Sequence, residues 1–396
     1  MSRPGPWVGW RRLFSGVLKW GLLGVLLCAT VHSLLTGMRD SFAHPTADLV
    51  TRSREYAVFS DGLYPMRMMV PHPVPKEFPY SVYPPYALPM FAVFFGIGGL
   101  AQGWLVVWSL SFLALGMIGW IGWHHLRFAG PAAAVLGGIA PAAISGNGYC
   151  LYQGQFSILC MGLISLQWLL LNRRRPLAAG LCWAAAMLKP QIGLAFTLPL
   201  VWGPNRGGLL IGLMGLLLLG AGALMYTDAS LLDYVAVWLK PERVAFASGG
   251  TTNLMNLLGP ATAMLLLVLI FLGFLAIRLF QKAIWKSNSI HSMGSALEFR
   301  GGNLRLQAIL GVLGSVIFYH HPYDNIMLYP ALLTTFSLAL KKRHFWFQSL
   351  AVAMAITLWA PLYLVANVSE FQVTSSAISI LVGLTLLLHQ SGDADG

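Results

Sequence analysis

Long apolar runs alternate with short polar breaks along almost the whole chain. The runs at 14–35, 207–225, 260–280, 306–319, 326–340, 345–365 and 377–388 carry very few charges. A helix needs about 20 apolar residues to span a bilayer, and several of these runs approach that length. The pattern predicts an all-α, polytopic membrane bundle. Basic residues gather in short clusters at the ends of the runs: Arg11-Arg12, Arg173-Arg174-Arg175, the stretch from Arg278 to Arg305, and Lys341-Lys342-Arg343. Such clusters face the cytoplasm. They leave 38–83, 146–155, 226–259, 320–325 and 367–375 outside, with both termini inside. The predicted location is the cell inner (plasma) membrane, crossed many times.

The middle of the chain breaks this rhythm. The apolar segments 84–99 and 131–145 are too short to span, and 177–202 is interrupted by "KPQ", which predicts two half-helices meeting at a break. Half-length segments at membrane depth are tolerated where they line a cavity inside the protein. The expected count is therefore roughly ten to twelve membrane segments, several of them half-length. The chain reads as a single domain, 1–396. It opens with an uncleaved first transmembrane helix at 14–35, continues with an outer loop of interfacial amphipathic helices at 38–83, and completes its bundle over 84–388.

Composition supports this reading. The chain is 57% hydrophobic and 10% charged, against about a quarter charged in soluble proteins. The net charge of +12 does not point to nucleic acid, because the basic residues follow the positive-inside pattern. Cys28, Cys150, Cys160 and Cys182 lie in or beside apolar runs and read as small packing residues. Whatever chemistry exists must be built in or at the membrane.

Polar groups inside such a chain are costly and are kept mainly for function. One cluster is "FYHHPYDN", with His320, His321, Tyr323, Asp324 and Asn325. The outer loops add only scattered His44 and His72, so no second ligand pair stands at metal spacing. The His-His-x-x-Asp grouping either binds a metal or lets His320 or His321 contact a phosphate or an acceptor hydroxyl, oriented by Asp324. Tyr323 and Asn325 would stand behind them or cap a helix. Lys189 follows an apolar run and precedes Pro190. It either snorkels to the interface or meets an anion, for which a phosphate suits an ammonium well. The outer loop carries Asp40, Asp48, Glu55 and Asp61, and a carboxylate beside a membrane cavity can act as general base on a hydroxyl. Asp61 reads as turn chemistry in "SDG"; Asp48 stands as base or as solvated acid. Asn147 and Gln155, in "NGYCLYQGQFS", either bind a polar ligand or cap a turn. Tyr83 fits an aromatic belt with Tyr80 and Tyr86, or stacks on a sugar. Asn253 and Asn256 complete a set of polar pieces that falls on the outer side with Lys189.

Taken in order, "ADLVTRSREY", "FPYSVYPP", "GQFSILCMGLISLQWLLLNRRRPLAAGLCWAAAMLKPQ" and "HHPYDNIMLYPALL" resemble glycosyltransferase family 87, roughly from Asp48 to Asn325. That family comprises membrane transferases that use polyprenyl-phosphate sugars, including mannosyltransferases. The resemblance implies a GT-C type fold with an outward-facing site. It implies inverting transfer of a hexose, mannose foremost, from a polyprenyl monophosphate sugar to a lipid or glycan acceptor, without a nucleotide-sugar donor; no cofactor or metal is expected. Carried over, Asp48 would be the general base, His321 or His320 with Lys189 would hold the donor phosphate, and Gln155 would line the pocket. The family often carries Asn two residues after that Gln, where this chain has Ser157. The partners implied are the donor, the acceptor and membrane lipids. The rival reading is a secondary transporter or a lipid or glycan flippase, which also uses broken helices and buried ionisable groups.

Overall fold

The computed structural model describes residues 6–43, 48–65, 83–201, 203–232, 234, 304–317, 321–342, 344–360 and 369–388. His320, Tyr80, His44, His72, Asn253, Asn256 and the run 260–280 lie outside these residues.

The described residues are helical throughout, with no strand among them. α1 runs Pro6–Ala43 and α2 runs Asp48–Ser60. Behind Pro84-Pro85 come two single-turn helices, α3 (Ala87–Met90) and α4 (Ala92–Phe95), the short segment that the sequence led us to expect. α5 (Gly99–Leu126) is a full-length apolar helix. α6 (Pro131–Ile139) starts on a proline and stops before Pro141, so proline sets both ends. It packs on α5 where Gly119 and Gly122 meet Gly138 and Gly137, a small-residue contact of the kind that lets membrane helices approach closely.

α7 (Gly146–Gln153) and α8 (Ser157–Asn172) meet at a 112° bend. α9 (Pro176–Ala186) ends ahead of Lys189, and α10 (Pro190–Ala195) restarts on Pro190. The helix therefore breaks at "KPQ" as expected, with the Lys189 backbone at φ −121°, ψ 89°. α11 (Leu198–Val201) leads to α12 (Arg206–Tyr226). After the undescribed stretch come α13 (Leu304–Ile317), a 3-10 helix at Pro322–Leu328, α14 (Tyr329–Lys342), α15 (Phe345–Trp359) and α16 (Ser369–Leu388).

Among the described residues three helical stretches are long and apolar enough to cross a membrane: Lys19–Ser41, Gly99–Ala129 and Gly203–Tyr226. The bent α7–α8 pair makes a fourth if it is one span. Shorter apolar helices at Pro176–Ala186, Leu304–Ile317, Phe345–Trp359 and Thr374–Leu387 complete the apolar set. The first apolar helix extends beyond the expected 14–35 at both ends. Its lipid-compatible character recurs in α12, which buries Gly208, Gly212, Leu216 and Ala223 and turns Leu210, Met214, Leu217 and Leu218 outward. An apolar outer face of this extent belongs in hydrocarbon.

α2 departs from the expected interfacial helix with its apolar face turned down. It packs on α3, α4 and α5. Its buried face is Leu49, Arg52, Glu55 and Phe59, so an ion pair is sealed between two apolar residues.

Candidate functional site

The site grows from the bend between α7 and α8. Gly154 stands there at φ +65°, a left-handed conformation that a side chain disfavours. A Cβ at Gly154 would collide with the Leu49 side chain. The bend therefore brings α2 against the residues flanking Gly154. Gln153 Oε1 accepts the Asp48 backbone N–H at 3.2 Å, and Gln155 Nε2 donates to Asp48 Oδ2. As the first residue of α2, Asp48 has a backbone N–H without a partner inside its own helix, and Gln153 supplies one. Gln153 is itself held by the Tyr149 hydroxyl at 3.1 Å. The Gln155 backbone N–H bonds Cys150 O at 2.9 Å, and the Cys150 thiol donates to Gln155 O at 3.3 Å. Cys150 and Cys160 are buried, in keeping with their packing role.

From Gln155 the hydrogen bonds run inward. Lys189 Nζ donates to Gln155 Oε1 at 3.2 Å, to Ser157 Oγ at 2.5 Å and to Asp324 Oδ1 at 2.5 Å. Ser157 Oγ donates in turn to Asp324 Oδ1 at 2.7 Å. Asp324 Oδ2 accepts the His321 backbone N–H at 3.1 Å. The Lys189 and Asp324 side chains are 4% and 0% exposed, so this ion pair is wholly desolvated. Such a pair persists only when further hydrogen bonds satisfy both ions, as they do here. The Tyr323 ring closes the cluster, 4.3 Å from Lys189 Nζ, with His321 at 4.7 Å and Tyr149 at 5.8 Å between ring centres. Gly146 lets α7 lie against the 3-10 helix, because a Cβ there would strike the Pro322 carbonyl.

Lys189 does not snorkel. Its break residue faces inward, Tyr86 donates to the neighbouring Met187 carbonyl at 3.1 Å, and the ammonium meets a protein carboxylate. An ammonium has three N–H groups, and all three have acceptors. Asp324 contacts the His321 backbone. Asp48, Gln155, Lys189 and the group His321, Tyr323 and Asp324 thus come together from four separate stretches of the chain. Asn147 stands apart from this chain of bonds: it is fully buried and donates to Pro141 O at 2.7 Å. Tyr83 is buried among Phe91 and Phe156, with the Arg52 guanidinium 4.8 Å above its ring.

Of the residues at or beside the site, Arg52 escapes a reading of the sequence as loops and runs, and Ser157 and Gln153 carry no assigned role in it. Ser157 and Gln153 join it through the α7–α8 bend, and Arg52 joins through α2. The signal for Arg52 was present: Leu49, Arg52, Glu55 and Phe59 fall at helical spacing on one face. Burial alone would lower the Arg52 guanidinium. Glu55, Tyr83, Asp48 and Tyr323 together outweigh that and hold it above its ordinary value.

The bundle and this buried polar chain define a membrane-embedded helical protein with a partly open carboxylate at the end of a desolvated ionic relay. The model of glycosyltransferase family 87 matches residues 82–297, more than half of the 396-residue chain, and the chain belongs to that family. It is therefore a glycosyltransferase with a sugar donor and an acceptor, which decides between transfer and transport. The matched stretch contains Gln155, Ser157 and Lys189; Asp48 and His321 lie outside it. No curated protein and no solved structure matches the chain.

Proposed function

We propose that this glycosyltransferase moves a hexose, mannose foremost, from a polyprenyl monophosphate sugar to a lipid or glycan acceptor at the outer face of the plasma membrane, on a GT-C type bundle. Asp48 is the general base. It takes the proton of the acceptor hydroxyl as that oxygen forms its bond to the anomeric carbon. The bond from that carbon to the phosphate oxygen breaks, the electron pair leaves with the phosphate, and the configuration inverts. The single observation that carries this reading is the relay from Asp48 through Gln155 to Lys189. It holds a partly exposed carboxylate in a fixed orientation, joined through one amide to a buried cation. Gln155 fixes which carboxylate oxygen remains free for the hydroxyl. Lys189 supplies positive charge to the leaving side through its field, since its N–H groups are placed on protein acceptors. In this reading His321, beside Tyr323, contacts the phosphate directly. A glycosidase would instead need two carboxyl groups flanking the bond.

The test uses the purified chain in nanodiscs with radiolabelled polyprenyl-phosphate mannose and crude host lipid. The reading expects a labelled lipid or glycan whose anomeric configuration is reversed relative to the donor. A product of retained configuration, or transfer from a nucleotide sugar alone, overturns it.

A further inference from the structure

Arg52 follows Asp48 by one helical turn, a spacing that puts both on one face of α2. Its side chain is 7% exposed. Glu55 places both carboxylate oxygens on a single nitrogen, Nη1, at 2.8 and 2.7 Å. A forked Arg–carboxylate pair uses two guanidinium nitrogens in parallel, and this one does not. The Nε–H is buried and has no hydrogen-bond partner. Such orphaned donors are rare in native proteins and call for an explanation. Tyr83 backs the guanidinium at 4.8 Å, and Phe91 lies behind Tyr83 at 5.3 Å, so that side of the group is walled with aromatic rings.

Among the described residues, the buried cations are Arg52 and Lys189. Lys189 has committed its three N–H groups to Gln155, Ser157 and Asp324. Arg52 retains donor capacity, in a planar array that suits phosphate oxygens. Both flank Asp48, one along α2 and the other through Gln155.

Resting on the transferase reading above, we infer that Arg52 grips the donor phosphate through its unpartnered Nε edge, and that Glu55 is the resident counter-ion the phosphate displaces. Lys189 remains with Asp324 and positions Gln155. No bond is made or broken in this exchange; one anion replaces another on the guanidinium.

The test measures binding of tritiated polyprenyl monophosphate to the full chain in nanodiscs, with uncharged polyprenol as reference. Wild type, Glu55→Gln, Arg52→Lys and Arg52→Gln/Glu55→Gln are compared. The double variant removes both buried charges together, so neither is stranded. Glu55→Gln is expected to bind polyprenyl monophosphate at least threefold more tightly, because the guanidinium loses its competitor. The double variant is expected to bind it at least tenfold more weakly, with polyprenol binding unchanged. Arg52→Lys, which keeps the charge but not the fork, falls between wild type and the double variant. If the double variant binds within twofold of wild type, the inference is overturned. If the double variant does not fold, unchanged binding by Arg52→Lys and Glu55→Gln overturns it equally. If phosphatidylglycerol displaces polyprenyl monophosphate with equal potency, Arg52 is a general lipid-phosphate anchor and the donor assignment is wrong. Wild type that prefers polyprenol to its phosphate overturns the donor reading itself, and a failure of Arg52 alone leaves that reading standing.

Discussion

Replacing Lys189 with methionine removes an ammonium that is hydrogen-bonded to three acceptors and takes this counter-charge from the Asp324 carboxylate at 0% exposure. Asp324 keeps the Ser157 hydroxyl and the His321 N–H and loses the ammonium. Breaking a buried ion pair from one side costs about 3–5 kcal/mol. At the ~2 °C per kcal/mol of a large domain, the melting temperature falls by roughly 6–10 °C. Asp324→Asn strands the ammonium instead and is expected to cost a similar amount. The double variant Lys189→Met/Asp324→Asn restores neutrality in nearly the same volume and is expected to lose less than either single change. The coupling between the sites is then at least about 3 kcal/mol, the cost of one single change. Thermal unfolding in one detergent, with all four proteins side by side, reads these values. Additive losses, with the double variant lowest, would refute the claim that these two residues form one desolvated pair. The double variant is still expected to transfer poorly, because Gln155 loses the cation that holds its carbonyl end.

Further expectations follow from neighbouring contacts. Gly154→Ala forces a left-handed side chain, costing about 1–2 kcal/mol. It also pushes Leu49 aside, costing a further ~1–3 kcal/mol. It should lower both the melting temperature and transfer, and an unchanged melting temperature would contradict the bend's role in seating α2. Gln155→Ala frees the Asp48 carboxylate to rotate; kcat is expected to fall about 10- to 100-fold with donor KM little changed, the sign of lost positioning. A change confined to KM would make Gln155 a binding residue instead. Ser157→Ala leaves both Lys189 and Asp324 short of one bond and is expected to cost about 1–3 kcal/mol in unfolding assays.

Much of the frame was legible because apolar periodicity and proline are local signals. The run read at 207–225 is α12, Arg206–Tyr226, and the run read at 306–319 is matched by α13, Leu304–Ile317. The break at "KPQ" appears as predicted, because proline cannot continue the preceding helix. The stretch after His321 was not legible as a 3-10 helix, since its apolar residues read equally well as part of the helix that follows. Pairings were harder still. Lys189 and Asp324 lie 135 residues apart, and nothing local in either stretch names the other. The sequence led us to seek an external anion for Lys189, and the fold supplies an internal one. Arg52 was passed over because a charged residue in an outer loop is ordinarily solvated, and only tertiary packing turns that face of α2 inward.

The central claim is that Asp48 activates the acceptor. Its most direct measurement is transfer of labelled mannose from polyprenyl-phosphate mannose by wild type and Asp48→Asn in nanodiscs, at equal amounts of folded protein. Asparagine keeps the shape and can still meet Gln155, but it cannot take a proton. The account predicts that transfer falls by about 10²- to 10⁴-fold, the usual contribution of a positioned base, while polyprenyl monophosphate still binds. Transfer by Asp48→Asn within a few-fold of wild type would contradict it.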